Sequence, residues 1–390
     1  MTPAARLAAA IAILDQLRDG TPAERALTNW GRASRFAGSG DRAAVRDHVF
    51  DVLRCRGSFA ALGGGESGRA LVLGLARAQG LDVAALFTGE GHAPAPLSDE
   101  EAARLAQPLP DEGALADLDW PDWLRQQLRA DLGADYAAVS ARMRARAPVF
   151  LRVNLARGDR AAAQAALAAE GIATRPHPLA ETALEVVEGA RRIQASAAYR
   201  EGLVELQDAA SQAAIAQVPV AAGMRVLDYC AGGGGKALAL AARAPAARIE
   251  AHDIDPGRMR DIPVRAARAG ARISTVAPGR LGRDYDLVLV DAPCSGSGTW
   301  RRTPEAKWRL TPERLAELCT LQAQILRAAA ARVVPGGRLL YMTCSLLDAE
   351  NAAQAEAFVR ETGWQVTEQR RFTPLDGGDG FFAAQLERRD

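Results

Sequence analysis

From about residue 211 to residue 390 the sequence alternates strand-like and helix-like stretches, and this alternation limits the fold more than any other feature. MRVLDYCA is followed by KALALAARA, and ARIEAHDID by PGRMRDIPVRAARAG. ARISTV and YDLVLVDAP follow, then the helix PERLAELCTLQAQILRAAAARV. GGRLLYMTCS, the helix DAENAAQAEAFVRETG and a last pair near 364–387 complete the series. Strands separated by helices predict a mostly parallel, doubly wound sheet, an α/β fold. Ligands of such sheets sit beyond the carboxyl ends of the strands.

Two cysteines occupy such ends: Cys294 in YDLVLVDAPCSGSG and Cys344 in LLYMTCSLLDAEN. A lone cysteine at a strand end is commonly a small buried hydrophobe, and Cys55 and the mid-helix Cys319 read that way. Shared placement and neighbours set Cys294 and Cys344 apart. A thiolate is a strong carbon nucleophile once locally activated. Two thiols facing one pocket suit a reaction with both an addition and an elimination, and methylation of cytosine at C5 is such a reaction. A thiolate adding to C6 turns the ring into an enamine, C5 attacks a methyl group, and loss of the C5 proton lets the first thiol leave. Asp291, three residues before Cys294, could hydrogen-bond the cytosine edge at N3 and the exocyclic amine. If it donates to N3 it must be protonated at that moment, which burial favours.

VLDYCAGGGGK (226–236) is a strand, an acidic residue and a glycine-rich turn opening a helix. Glycines let backbone approach a ligand closely. Asp253 closes the next strand 21 residues beyond Gly232, the spacing of an acid that accepts from ribose hydroxyls. Ala237 follows Lys236, so the loop is not a P-loop. At this level a dinucleotide and S-adenosylmethionine both fit.

DAPCSGSGTWRRTPEAKWR (291–309) and YMTCSLLDAEN (341–351) resemble motifs of the RNA cytosine-5 methyltransferases, specifically the bacterial Sun/Fmu, or RsmB-type, rRNA enzymes. LRVN (151–154), LVELQDAASQ (203–212), DYCAGGGGK (228–236) and DGFFAAQL (379–386) resemble further blocks of that family. DRAAVRDHVFDVLR (41–54) and PDWLRQQLRADLG (121–133) resemble its helical NusB-like RNA-binding domain. The resemblance implies S-adenosylmethionine as cofactor and Cys344 as the nucleophile on C6. It implies Cys294 as the cysteine assisting release, Asp291 as the residue engaging the base, and Lys236 beside the catalytic centre. The cofactor site it implies comprises Cys230, Ala231, Gly232, Gly233, Gly234, Gly235, Lys236, Asp253, Arg258 and Asp291. Two departures stand out. The family loop usually reads CAAPGGK, so Gly233 replaces a rigid proline, at a cost in loop order. After the third strand TVAPGR (275–280) carries Pro278 where an adenine-contacting acid is usual.

The fold class expected is therefore a Rossmann-like class I methyltransferase domain at 211–390. An all-helical NusB-like domain at 1–140 and a small α/β segment at 141–210 precede it. The helical part rests on apolar residues at three and four spacing in 1–80 and near 122–133. PVFLRVNLA, GDRAAAQAALAAEG, ALEVVEG and LVELQD give the small segment its strands and helix.

Net charge is +1, which excludes a uniformly basic nucleic-acid binder but not local basic patches. Of 48 basic residues only Lys236 and Lys307 are lysine, and both fall inside the motifs. Immediately after Cys294, Arg301, Arg302, Lys307 and Arg309 interleave with Trp300 and Trp308. Cations on phosphates and aromatic faces on unpaired bases make this stretch the expected RNA contact, through Arg301, Arg302, Lys307, Trp308 and Arg309. The five cysteines form no CxxC pair and no histidine cluster joins them, so no metal site is expected. An odd cysteine count, no secretion signal and no run long enough to span a bilayer point to a cytoplasmic protein without a membrane partner. The expected partner is RNA, either rRNA or a ribosomal subunit precursor, with the chain acting as a monomer. The rival reading, supported by the two departures, is an RNA-binding or assembly factor that keeps the fold with weak catalysis.

Overall fold

The computed structural model describes residues 1–388. The chain forms two compact units: Met1–Arg146 with Trp300–Arg309, and Ala147–Thr299 with the chain from Leu310 onward.

The first unit is helical. The predicted periodic stretches become helices Ser39–Arg54, Gly68–Ala78 and Asp122–Leu132, alongside Pro3–Arg18, Ala23–Ala33 and Arg56–Gly63. Their apolar faces meet in a core that includes Leu7, Ile13, Val45, Val49, Val52, Phe59, Leu71 and Leu75. Each such side chain contributes roughly 1.5–3 kcal/mol by leaving water. Helix starts are marked by side chains that accept from free N–H groups, as Thr2 does from Ala5 and Ser67 from Ala70.

Trp300–Arg309, read from sequence as an RNA-facing loop, is part of this unit. Trp300 is buried against Trp120, with ring centroids 6.1 Å apart. Lys307 Nζ donates to the Arg54 carbonyl at 2.8 Å, and Trp308 Nε1 to the Leu53 carbonyl at 2.7 Å. Both carbonyls belong to the end of helix Ser39–Arg54, where the last turn has no intrahelical donors. The Glu305 carboxylate accepts from the Ala23 N–H at 3.1 Å, at the start of helix Ala23–Ala33. Arg301 and Lys307 are only 3% and 2% exposed. Of the expected RNA contacts, Arg301 and Lys307 are buried and Trp308 is half-buried, with Lys307 and Trp308 holding the end of that helix. Arg302 and Arg309 remain at the surface, Arg309 in an ion pair with Glu305 at 2.7 Å.

The second unit holds two sheets. The smaller has strands β1 (Val149–Val153), β2 (Thr174–Pro176), β3 (Ala183–Val186) and β4 (Val204–Leu206), in the order β2-β3-β1-β4. All its pairings are antiparallel. The larger has β5 (Arg225–Asp228), β6 (Arg248–His252), β7 (Ile273–Val276), β8 (Tyr285–Asp291), β9 (Val333–Thr343), β10 (Gln365–Phe372) and β11 (Phe381–Glu387). Their order is β10-β11-β9-β8-β5-β6-β7. Pairings from β9 through β7 are parallel, and β11 is antiparallel to both its neighbours. The chain runs outward from β5 to β7, then returns to β8 on the other flank of β5. This reversal opens a crevice beyond the ends of β5 and β8.

The small sheet and the large one belong to the same compact unit. Helix Ala209–Ala216 packs in one core with Phe150 and Ala183 of the small sheet and with Val226, Leu289 and Met342 of the large one. This alanine-rich helix therefore packs against both sheets. Among the described residues, no helix is long and apolar enough to cross a membrane.

Candidate active site

Four strand ends in the second unit border one cleft of about 520 Å³, lined among others by Gly232, Lys236, Asp291, Cys294, Cys344 and Phe381. Asp228 ends β5, Asp253 follows β6, Asp291 ends β8, and Cys344 follows β9. Parallel pairing of β8 with β9 sets Asp291 beside Met342, so the two cysteine-bearing turns leave the sheet side by side.

The glycine loop connects β5 to helix Gly235–Arg243. Gly232 (φ 50°) and Gly234 (φ 77°) take the left-handed conformation that favours glycine. The loop is held from several sides. The Gly232 N–H donates to Asp253 Oδ2 at 3.0 Å, and the Ala231 N–H to the His252 carbonyl at 2.8 Å. Arg265 donates to the Gly233 carbonyl, and Arg152 to the Gly235 carbonyl at 2.8 Å. Buried Glu205 anchors Arg265 in turn at 2.9 Å. Two guanidinium groups from outside the loop thus brace it where a proline is usual.

Asp253 is 1% exposed and also pairs with Arg258 at 3.1 Å. Its neighbour Ile254 is 81% exposed, an apolar side chain standing in the open beside the carboxylate. Asp228 Oδ2 accepts from the Ala237 N–H at 3.1 Å, while its buried Oδ1 has no partner. Burial, reinforced by the charge of Asp291, pushes the Asp228 carboxyl up to about 7. Glycine backbone, a ribose-type acid, an apolar ledge and an orphaned acceptor form a set that fits a nucleoside carrying a cationic tail, as S-adenosylmethionine does. Burial and then the carboxylates of Asp228, Asp291 and Asp253 push the Cys230 thiol well up, so it stays a thiol.

At the other end of the cleft the sulfurs of Cys294 and Cys344 lie 3.4 Å apart. Lys236 Nζ is 2.6 Å from Asp291 Oδ2 and 5.7 Å from the centre of the Phe381 ring. Burial opposes the Lys236 ammonium, but the Asp291 carboxylate outweighs it and holds the group above its ordinary value. The hydrogen bond to Cys344, then burial, pushes the Cys294 thiol well up, with the charges of Cys344 and Glu350 adding to the effect. The Lys236 ammonium lines the same cleft, and a nearby cation activates a thiol as a nucleophile.

Of the predicted residues, Cys230 to Gly233, Gly235, Lys236, Arg258, Asp291, Cys294 and Cys344 line one cleft, while buried Asp253 reaches it through Gly232 and Arg258. The sequence reading gave no role to Asp228, Ile254, Arg152, Arg265, Phe381 or Glu350. Asp228, Phe381 and Glu350 lay inside quoted motifs and were legible as candidates. Arg152 also lay inside a quoted block, LRVN, but neither its spacing nor that of Arg265, on a helix, pointed to the loop. After β7 the chain carries Ala277 and Pro278 with no acid, as the sequence stated. Among the described residues, no cluster of three or more histidine, cysteine, aspartate or glutamate side chains is arranged to hold a metal.

Residues 217–387 match the family described as 16S rRNA methyltransferase RsmB/F. Residues 120–193 match the ferredoxin-like domain of RsmF/B-like methyltransferases. The chain is 36% identical over 292 residues to ribosomal RNA small subunit methyltransferase B of Xanthomonas campestris, covering 69% of this chain and 67% of that protein. The protein of the same name from Xylella fastidiosa (strain Temecula1) is 35% identical, over 70% of this chain and 67% of its own. Among solved structures, PH0851 is similar over 100% of this chain and 99% of its own, with TM-score 0.76 and 22% identity. A methyltransferase homologue from Pyrococcus horikoshii covers 69% of this chain and 96% of its own, with TM-score 0.61 and 22% identity. The structural likenesses establish the fold, and the identity to the bacterial proteins establishes the kinship: this chain belongs to the RsmB/F family of 16S rRNA methyltransferases.

Proposed function

We propose that this protein methylates C5 of a cytidine in 16S ribosomal RNA, with S-adenosylmethionine as methyl donor and a covalent bond between Cys344 and C6 as intermediate. The observation that carries the proposal is the 3.4 Å approach of Cys294 and Cys344 beside the Lys236–Asp291 pair. The Cys344 sulfur adds to C6 of an extruded cytosine, and the Asp291 carboxylate accepts from the exocyclic amine. When bound, S-adenosylmethionine supplies the electrophilic methyl group that C5 takes. Loss of the C5 proton restores the C5–C6 double bond, the C6–S bond breaks, and its electron pair returns to Cys344. Cys294 is placed to take that proton. To do so Cys294 first releases its own proton to solvent, and bonding of Cys344 to C6 removes the sulfur hydrogen bond that holds the Cys294 thiol up.

At the cofactor end, Asp253 would accept from the ribose hydroxyls and Ile254 would give the adenine an apolar face. A duplex conceals C6, so the target base must be unpaired or flipped out. In the helical unit Trp30, Arg32 and Arg42 line a groove of about 390 Å³ suited to an RNA backbone. The bracing of the glycine loop weighs against the rival reading of a weakly catalytic assembly factor.

Incubation with unmethylated 16S rRNA and S-adenosylmethionine, followed by denaturing gel electrophoresis, tests the proposal. Cys344→Ala should lose turnover by more than about 10⁴-fold and form no adduct. Cys294→Ala should accumulate a covalent protein–RNA band. Turnover by Cys344→Ala, or the absence of that band in Cys294→Ala, ends the covalent reading.

A further inference from the structure

Glu350 lies behind the two cysteines. It is 0% exposed and belongs to neither the cofactor loop nor the cleft lining. Its carboxylate accepts four hydrogen bonds. Oε1 takes the Ser295 N–H at 2.7 Å and Gln322 Nε2 at 3.1 Å. Oε2 takes the Ser295 hydroxyl at 2.5 Å and the Ser345 hydroxyl at 2.6 Å. Ser295 directly follows Cys294, and Ser345 directly follows Cys344. One buried carboxylate therefore bridges the turns that carry the two sulfurs.

The surrounding contacts extend the bridge. Ser297 Oγ lies 3.0 Å from Ser345 Oγ and accepts from the Leu346 N–H at 2.8 Å. The Gly298 N–H donates to the Cys344 carbonyl at 3.0 Å. Asn351 donates to the Ser345 carbonyl at 3.0 Å and accepts from Thr343 Oγ1 at 2.5 Å. Gln322 also donates to the Pro293 carbonyl at 3.0 Å, so the helix Pro312–Ala330 is tied to the same knot. Burying a carboxylate without partners is costly, and hydrogen bonds to charged groups are worth about 1.5–3 kcal/mol each. A site that needed only an apolar floor would not place a carboxylate here.

We infer that Glu350 is a positioning residue: it clasps the Cys294 and Cys344 turns together and thereby fixes the sulfur–sulfur distance on which release of the methylated base depends. This rests on the two-cysteine reading above. Adduct formation requires only Cys344, whereas resolution requires Cys294 within reach of the base that Cys344 holds. Loosening the clasp should therefore slow release more than attack. It should leave cofactor binding alone, since Glu350 touches no residue of the glycine loop.

The test uses the full chain with three variants. In Glu350→Ala the clasp is gone. In Glu350→Gln, Oε1 still accepts from Ser295 and Gln322, while the amide donates to the two serine hydroxyls, which can both accept. Ser345→Ala removes one bond to the Cys344 turn and guards against a Glu350→Ala protein that does not fold. Two readouts are independent of each other. The first is the rate of diamide-driven disulfide formation between Cys294 and Cys344, followed by peptide mapping, which needs no RNA. The second is steady-state turnover together with the fraction of enzyme trapped on RNA. Expected for Glu350→Ala is slower disulfide formation, kcat lowered by about 100-fold, a raised adduct fraction and a KM for S-adenosylmethionine within twofold. Glu350→Gln should recover to within about tenfold, and Ser345→Ala should shift both readouts the same way by less. Wild-type disulfide rates in Glu350→Ala and Ser345→Ala overturn the inference, as does a loss of kcat unaccompanied by slower disulfide formation. Failure of the covalent reading itself would appear separately, as turnover by Cys344→Ala with disulfide rates still following Glu350.

Discussion

Residues 291–295 and 300–309 are close neighbours in sequence, and both are dense in residue types that bind or react. They end in opposite roles. The first stretch leaves β8 at the sheet's carboxyl edge and places Asp291 and Cys294 in the cleft. The second belongs to the helical unit, where Lys307 and Trp308 satisfy the carbonyls of Arg54 and Leu53 and Glu305 meets the start of another helix. The difference lies in what fixes each side chain. A strand end in a doubly wound sheet has its direction set by topology. A short helix can turn its cations toward solvent or toward the free carbonyls of a neighbouring helix, and composition does not choose between them.

The largest effect should come from the first stretch. Asp291→Asn keeps the shape but removes the charge that holds Lys236 protonated and engages the base. Turnover should fall by about 10²–10³-fold, with the melting temperature little changed. If Asp291→Asn instead unfolds the protein while the surviving fraction keeps full activity, the stretch is structural and the comparison collapses.

The second stretch should respond in stability. Lys307→Ala leaves the Arg54 carbonyl unsatisfied and opens a cavity beside Trp120 and Trp308. A loss of about 2–4 kcal/mol in unfolding free energy is expected, measured by urea titration, with turnover of the folded fraction close to wild type. The pH dependence carries a sign as well. Burial, opposed by the charge of Asp119, lowers the Lys307 ammonium from 10.5 to about 8. Below about 8 both folded and unfolded chains carry the proton, and the burial penalty is felt in full. Above it the folded chain releases the proton first, so this group's contribution grows more favourable as pH rises from about 8 toward 10.5. Stability of the wild type relative to Lys307→Met should rise across that window. A flat or falling difference would mean that Lys307 is not held as a buried cation.

The same contrast explains how much was legible beforehand. The sheet, the glycine loop, Asp253 and the two cysteines all follow from strand–helix alternation and strand-end placement, and these depend on local pattern. Arg152, Arg265 and Glu350 act through hydrogen bonds to backbone carbonyls and hydroxyls brought near only by the fold. The two guanidinium groups that hold the glycine loop are of this kind, since neither lies near it in sequence. The packing of Ala209–Ala216 against both sheets has no sequence signal either, since an alanine-rich helix can serve two cores without any change in texture. Burial of Arg301 and Lys307 was hidden for a related reason, since arginine and lysine are almost never fully buried unless their charge is met.

The smallest effect sharpens the comparison most finely. Within 300–309, Arg302 and Arg309 lie at the surface, and the exposed pair of Arg309 with Glu305 contributes little to stability. Alanine at both positions should change unfolding free energy by no more than about 0.5 kcal/mol. If these two side chains still meet phosphates, RNA affinity should fall several-fold, and the slope of log affinity against log salt should drop by about 0.7 per lost contact. An unchanged slope would assign the whole decapeptide to packing and move RNA recognition to other surfaces, of which the groove at Trp30, Arg32 and Arg42 is the first to test. A changed slope with unchanged stability would show one short helix divided by face: inward cations that hold a helix end, outward cations that hold the substrate.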